Sequence, residues 1–156
     1  MQNPADIDDS RGDDTCYQAW LLSNGRFSTL LSANGGGFCA LDGFALTRWV
    51  PDPTRDVDGV HIYLRDVERG TFRTPAAGPA AGPAGGTFRC DGGIAQLYSE
   101  ADGVECTTRI CVPPDLDAEL RHLTLRNTGA VPRTLEITTY AELALNTPAA
   151  DAAHPA

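Results

Sequence analysis

Hydrophobic and polar residues alternate with period two along most of this chain, and Gly, Asn, Asp and Pro break the alternation at short intervals. Val60, Ile62 and Leu64 alternate with His61, Tyr63 and Arg65. A strand here buries the aliphatic set and presents imidazole, phenol and guanidinium on its other face. The longest run is Thr134 to Leu145. It places Leu135, Ile137, Thr139, Ala141, Leu143 and Leu145 on one side and Thr134, Glu136, Thr138, Tyr140 and Glu142 on the other; this predicts a central strand. Asn24-Gly25 between Trp20 and the Phe27, Thr29, Leu31 face predicts a hairpin. Further reversals are expected at Asn34 to Gly37, Asp42-Gly43, Asp91 to Gly93, Asp102-Gly103 and Thr128-Gly129. Strands are expected at 38–41, 44–50, 86–90, 94–100, 104–112 and 119–127, with Pro113-Pro114 interrupting before the last. About ten strands without an amphipathic helix predict an all-β fold, two antiparallel sheets packed face to face as a β-sandwich.

Composition narrows the picture. The 156 residues suit one domain, long enough to bury roughly 68–70% of the surface the unfolded chain exposes. The net charge of −9 sets 21 acids against 12 bases, all of them arginine, which argues against a nucleic-acid partner. Much of the acidity falls in residues 1–16, read as a flexible acidic segment ahead of a sandwich over 17–156. No apolar run approaches the roughly 18–20 residues that span a bilayer, and no signal sequence opens the chain; no membrane segment and a cytoplasmic location are expected. The five cysteines lack CxxC spacing and read as reduced, packed thiols. Pro75 to Gly86, with little side chain to bury, reads as a surface loop or flexible connector.

Candidate chemistry concentrates in TRWVPDPTRDVDGVHIYLRD, Thr47 to Asp66, where Pro51 and Pro53 stiffen an exposed connection between two strands. Flat aromatic faces and planar donors and acceptors are what recognition of a sugar ring and its hydroxyls requires. Arg48, Trp49, Arg55, Asp56, Tyr63 and Arg65 supply them and are the candidate substrate-binding residues. A competing reading packs Trp49 in the core and pairs Arg48, Arg55 or Arg65 with Asp52, Asp56 or Asp66 to fix the loop. Asp56, Asp58, Asp66 and Glu68 are close enough in sequence to suggest a glycosidase carboxylate pair, but strand-end carboxylates are ordinarily solvated or Arg-paired. His61, His122 and His154 have no zinc spacing, no loop collects oxygens for calcium, and no GxSxG elbow occurs, so no metal, cofactor or catalytic residue is assigned.

LLSNGRFSTLLSANGGGF (Leu21 to Phe38), LTRWVPDPTRD (Leu46 to Asp56), IYLRD (Ile62 to Asp66), TYAELAL and AADAAHPA follow one another in an order and spacing that resemble the cyclic β-1,2-glucan synthase and cellobiose phosphorylase family. The resemblance runs from about Tyr17 to Ala156. It implies the front part of a large, here incomplete, N-terminal sandwich that precedes an (α/α)6 barrel carrying the catalytic acid. It also implies a parent that acts on β-linked glucose oligomers by phosphorolysis or glycosyl transfer. Two roles follow as expectations: a noncatalytic carbohydrate-binding-like domain for a β-glucan or gluco-oligosaccharide, or a structural module that docks the barrel or self-associates as a homo-oligomer.

Overall fold

The computed structural model describes residues 19–50, 52, 57–80 and 86–153. It is built from twelve strands: β1 (Ala19–Ser23), β2 (Phe27–Ser32), β3 (Gly37–Leu41), β4 (Phe44–Thr47), β5 (Val60–Asp66), β6 (Thr71–Arg73), β7 (Thr87–Asp91), β8 (Ile94–Ala101), β9 (Val104–Cys111), β10 (Leu120–Asn127), β11 (Leu135–Ala141) and β12 (Leu143–Asn146). One short helix, α1 (Pro148–Ala153), follows in a tail whose sequence has no clear period. The strands form a five-stranded sheet ordered β1-β2-β3-β4-β12, a four-stranded sheet β10-β9-β8-β7 and a three-stranded sheet β11-β5-β6, each pairing antiparallel.

Two apolar clusters turn these sheets into a sandwich. Leu22 and Leu31 of the five-stranded sheet meet Ala95, Leu97 and Ile110 of the four-stranded sheet in the first cluster. In the second, Ile62 and Leu64 of the three-stranded sheet meet Cys106, with Leu123 and Leu125 of β10 packed against them. The four-stranded sheet therefore lines both cores and makes one layer, while the other two sheets share the opposite layer. Full burial of a Leu or Ile contributes about 1.5–3 kcal/mol each, so these positions carry much of the stability. Within the shared layer, Gly37 N–H donates to the Asp58 carbonyl at 2.8 Å and Arg48 N–H to the Glu142 carbonyl at 2.9 Å, joining the two sheets across their seam.

Turn chemistry matches the sequence closely. Asp42-Gly43 and Asp102-Gly103 both take positive φ at the two turn residues, as tight hairpins between right-twisted strands demand. In the first hairpin the Asn24 carboxamide oxygen accepts from the backbone N–H groups of Arg26 and Phe27, at 3.0 and 2.8 Å. Its amide nitrogen reaches the Leu116 carbonyl at 3.2 Å, tying the hairpin to the loop before β10.

Several expectations need correction. The run from Thr134 to Leu145 is not a central strand: it breaks at Glu142 into β11, at the edge of the three-stranded sheet, and β12, at the edge of the five-stranded one. Alternation identified its faces but not whether anything covers them; Ile137 stays 54% exposed and Leu143 64%. The strand expected at 44–50 ends at Thr47, whose hydroxyl replaces a ladder carbonyl by accepting the Cys39 N–H at 2.8 Å. Part of the Pro75 to Gly86 segment is anchored, since Ala76 joins the first core cluster and the Thr74 hydroxyl donates to the Gly78 carbonyl at 2.8 Å.

A buried ion pair sits where the three sheets meet. The Glu119 and Arg121 side chains are 8% and 15% exposed. Arg121 donates to Glu119 and to the Val60 carbonyl of β5, while Glu119 accepts from the Thr29 hydroxyl of β2 at 2.6 Å. We expect Arg121→Met to cost about 3–5 kcal/mol by urea denaturation, because it strands a buried carboxylate. Combining it with Glu119→Gln should recover a substantial part of that loss; fully additive losses would contradict the coupling.

Candidate functional site

The loop that carries the candidate residues is held at its base. Val50 N–H donates to the Asp58 carboxylate at 2.7 Å, and the next residue, Gly59, has φ of 136° and lies so close to Gly36 and Gly37 that a Cβ would come within 3.0 Å of the Gly37 nitrogen. Arg55 and Asp56 lie outside the described residues, as do Pro51 and Pro53.

Trp49 is a surface residue, 41% exposed, and not a core one. Its ring packs on Phe38 of β3 with centroids 5.1 Å apart and planes inclined by 47°. Phe38 pairs with Leu30 and Leu30 with Leu21, so the two aromatics end an apolar row across the outer face of the five-stranded sheet. Beside Trp49, Arg48 forms a two-pronged contact with Asp151 of α1, at 3.3 Å from Nε and 3.1 Å from Nη2, and lies 3.6 Å from Glu142. Glu142 also accepts from the Tyr140 hydroxyl at 3.0 Å; that hydrogen bond, and then the carboxylate's charge, raise the tyrosine's pKa.

The outer face of the three-stranded sheet continues from there. Cross-strand partners share a face, so the registers Tyr140–His61, Thr138–Tyr63, Glu136–Arg65 and Arg65–Phe72 place all of these residues outward. Arg65 is exposed and pairs with Glu136 at 2.8 Å. His61 departs from the expected exposed row: it is buried, and its Nε2 donates to the Val57 carbonyl at 2.7 Å. Of the sequence candidates, Arg48 and Trp49 are chain neighbours at the seam, while Tyr63 and Arg65 lie along β5; the Tyr140–Glu142–Arg48 chain links the two groups. Phe38, Tyr140, Glu142 and Asp151 complete the surface and escaped the sequence reading, although Tyr140 and Glu142 already stood on the polar side of the long alternating run.

The arginine partners also differ from those expected. Arg48 and Arg65 take Asp151, Glu142 and Glu136 from the far end of the chain, whereas Asp66 pairs with Arg133, and Asp56 lies outside the described residues. The tempting carboxylates are engaged: Asp66 binds Arg133 at 2.8 Å, Glu68 accepts Thr134 N–H at 3.0 Å, and Asp58 holds Val50. A cleft of about 190 Å³ opens between β5, β6 and the β8–β9 turn, lined by Asp66, Arg73, Asp102 and Arg133 with Phe72 among its walls. It is smaller than the roughly 300–1,000 Å³ of ligand pockets. Among the described residues no three His, Cys, Asp or Glu side chains gather as a metal site. Cys39, Cys90, Cys106 and Cys111 are free thiols, and burial, followed by the Glu119 charge, pushes Cys39 up to about 11. No described helix is long and apolar enough to cross a membrane.

An all-β sandwich with an outward aromatic and charged surface is the class of domain these features define. The sequence matches the supersandwich domain of glycosyl hydrolase 94 over residues 10–156, and the chain belongs to that family. It is 37% identical over 136 residues to the cyclic β-(1,2)-glucan synthase NdvB of Rhizobium meliloti (strain 1021), an alignment covering 86% of this chain and 5% of that protein. It is 29% identical over 139 residues to the N,N'-diacetylchitobiose phosphorylase of Vibrio furnissii, covering 83% of this chain and 17% of that protein.

Acid stability follows from the Asp66 environment. The Arg69 backbone N–H and then the Arg133 guanidinium lower its pKa, so the stabilisation is fully present above the unfolded value near about pH 4 and is lost as pH falls through the folded value. Urea midpoints measured from pH 6 to pH 2 should fall less steeply for Asp66→Asn than for the parent chain; identical acid limbs would contradict this.

Proposed function

We propose that this domain is a noncatalytic β-gluco-oligosaccharide-binding sandwich that supports glycosyl transfer or phosphorolysis carried out by a catalytic barrel outside the residues described here. The observation that carries the proposal is the exposed Trp49 packed on Phe38 beside the Arg48, Asp151 and Glu142 cluster. A glucose ring laid on the indole buries its C–H face, and the fixed guanidinium and carboxylates stand at the rim to meet hydroxyls. Tyr63, Tyr140 and Arg65 extend the surface for further sugar units. The name of the glucan synthase relative supports a β-1,2-linked glucan, and that of the N,N'-diacetylchitobiose phosphorylase supports a sugar as the general ligand class.

A second reading, docking without sugar, is favoured by a different observation: the face of β11 that lies beside the core residues Ile62 and Leu64 has Ile137 exposed. Barrel contact and self-association both belong to this reading.

Isothermal titration with β-1,2- and β-1,4-linked gluco-oligosaccharides separates the two. Binding in the millimolar range is expected, with quenching or shift of tryptophan fluorescence, and Trp49→Ala should weaken it at least tenfold, about 1.4 kcal/mol. Absence of heat from both sugars at millimolar concentration rejects the carbohydrate reading.

A further inference from the structure

Arg26, Arg48, Arg65, Arg69, Arg121, Arg126 and Arg133 all pair with carboxylates, whereas Arg73, Arg89 and Arg109 have no carboxylate partner among the described residues. Arg89 and Arg109 are exposed on the four-stranded sheet, where water screens them. Arg73 is different. Its half-buried side chain crosses from β6 to the other layer, where Nη1 donates to the Ser99 hydroxyl of β8 at 3.3 Å and Nη2 to the Val104 carbonyl of β9 at 3.0 Å. The buried Cys106 thiol senses this charge: burial raises its pKa, and Arg73 opposes the rise. A guanidinium placed between two layers is costly unless a counter-charge meets it.

The cleft of about 190 Å³ between β5, β6 and the β8–β9 turn gives such a counter-charge a way in, because Arg73 and Arg133 both line it. Its two carboxylates are already held. Asp66 takes the Arg133 guanidinium at 2.8 Å and the Arg69 backbone N–H at 3.0 Å, and Asp102 takes the Arg69 side chain at 3.2 Å. The guanidinium groups of Arg69, Arg73 and Arg133 therefore stand against the carboxylates of Asp66 and Asp102, a local positive excess in a chain whose net charge is −9.

We propose that this cleft binds a small oxyanion, a carboxylate or phosphate group, with Arg73 as its principal partner and Arg133 as the second. Arg73 spends two N–H groups on Ser99 and Val104, and a guanidinium carries five, so donors remain for a ligand. Their planar fork matches the paired oxygens of a carboxylate or phosphate. Leu64, Val104 and Leu135 make the other walls apolar, which lowers the local dielectric and strengthens the charged contact. The volume admits a small anion and excludes an oligomer. Because the cleft is lined from both layers, an anion held there ties β6 to the β8–β9 hairpin and stabilises the folded chain by mass action.

The site is separate from the Trp49 surface, and its test does not depend on sugar binding. Thermal unfolding and calorimetry with sodium phosphate and sodium acetate, each against sodium chloride at equal ionic strength, should show saturable binding with a millimolar dissociation constant and a midpoint that rises with anion concentration. Whichever of the two binds more tightly identifies the group the cleft prefers. Arg73→Met should weaken binding at least tenfold, while Arg109→Met, on the outer face, should leave it unchanged. Since Arg73→Met also removes the contacts to Ser99 and Val104, amide shifts of the parent chain titrated with phosphate give a second measurement, and the largest should fall at Thr71, Arg73, Asp102 and Val104. No saturable binding beyond chloride overturns the proposal. So does an affinity that survives Arg73→Met or is lost in Arg109→Met, or a set of shifts centred outside the cleft.

Discussion

The buried pair of Glu119 and Arg121 is the constraint on which the arrangement of layers depends. Arg121 reaches the Val60 carbonyl at the start of β5, and Glu119 reaches Thr29 in the middle of β2. Two sheets that form only part of one layer are thus referenced to the same point on the opposite layer. Buried ion pairs are rarely the strongest way to gain stability, since desolvation offsets most of the Coulombic attraction. Their value here is positional. Apolar clusters tolerate sliding, whereas a carboxylate and a guanidinium with several directed partners accept one alignment, and that alignment fixes how β5 stands relative to β2.

That fixed alignment has consequences at the outer face. The seam between the five- and three-stranded sheets runs past the end of β4 and the start of β5, where Arg48 leaves one sheet and Asp58 leads into the other. Backbone bonds from Gly37 to Asp58 and from Arg48 to Glu142 hold the seam closed. Trp49 sits there because β4 ends at Thr47 and the chain turns out of the sheet. The aromatic surface is therefore a product of where a strand stops, and a longer β4 would have directed the next side chains alternately into and out of the sandwich.

Much of this was readable from the residues, for reasons that differ by element. Asp42-Gly43, Gly92-Gly93 and Asp102-Gly103 mark turns because their backbones adopt positive φ, a local property that needs no tertiary information. The all-β class follows from period-two alternation in the same local way. Strand partners are not local. Nothing between Thr134 and Leu145 reveals that the run divides at Glu142 between two sheets, or that Arg48 takes Asp151 and Glu142. Those pairings are set by chain segments about a hundred residues apart meeting at the seam. His61 shows a further limit: alternation placed it on the outward face correctly, but it carries no sign of the Val57 carbonyl, four residues back, that the buried imidazole meets.

The arginines explain what kind of recognition such a surface supports. Arg48 and Arg65 are already paired with carboxylates, so much of their hydrogen-bonding capacity is committed before any ligand arrives. Pairing fixes their geometry and reduces the ordering entropy that binding costs, but it leaves few strong donors uncommitted. Affinity must then come mainly from apolar contact with Trp49 and its neighbours, while the paired groups contribute orientation. Under the proposed sugar-binding role, a flat surface that works by stacking would hold a sugar chain weakly and release it readily.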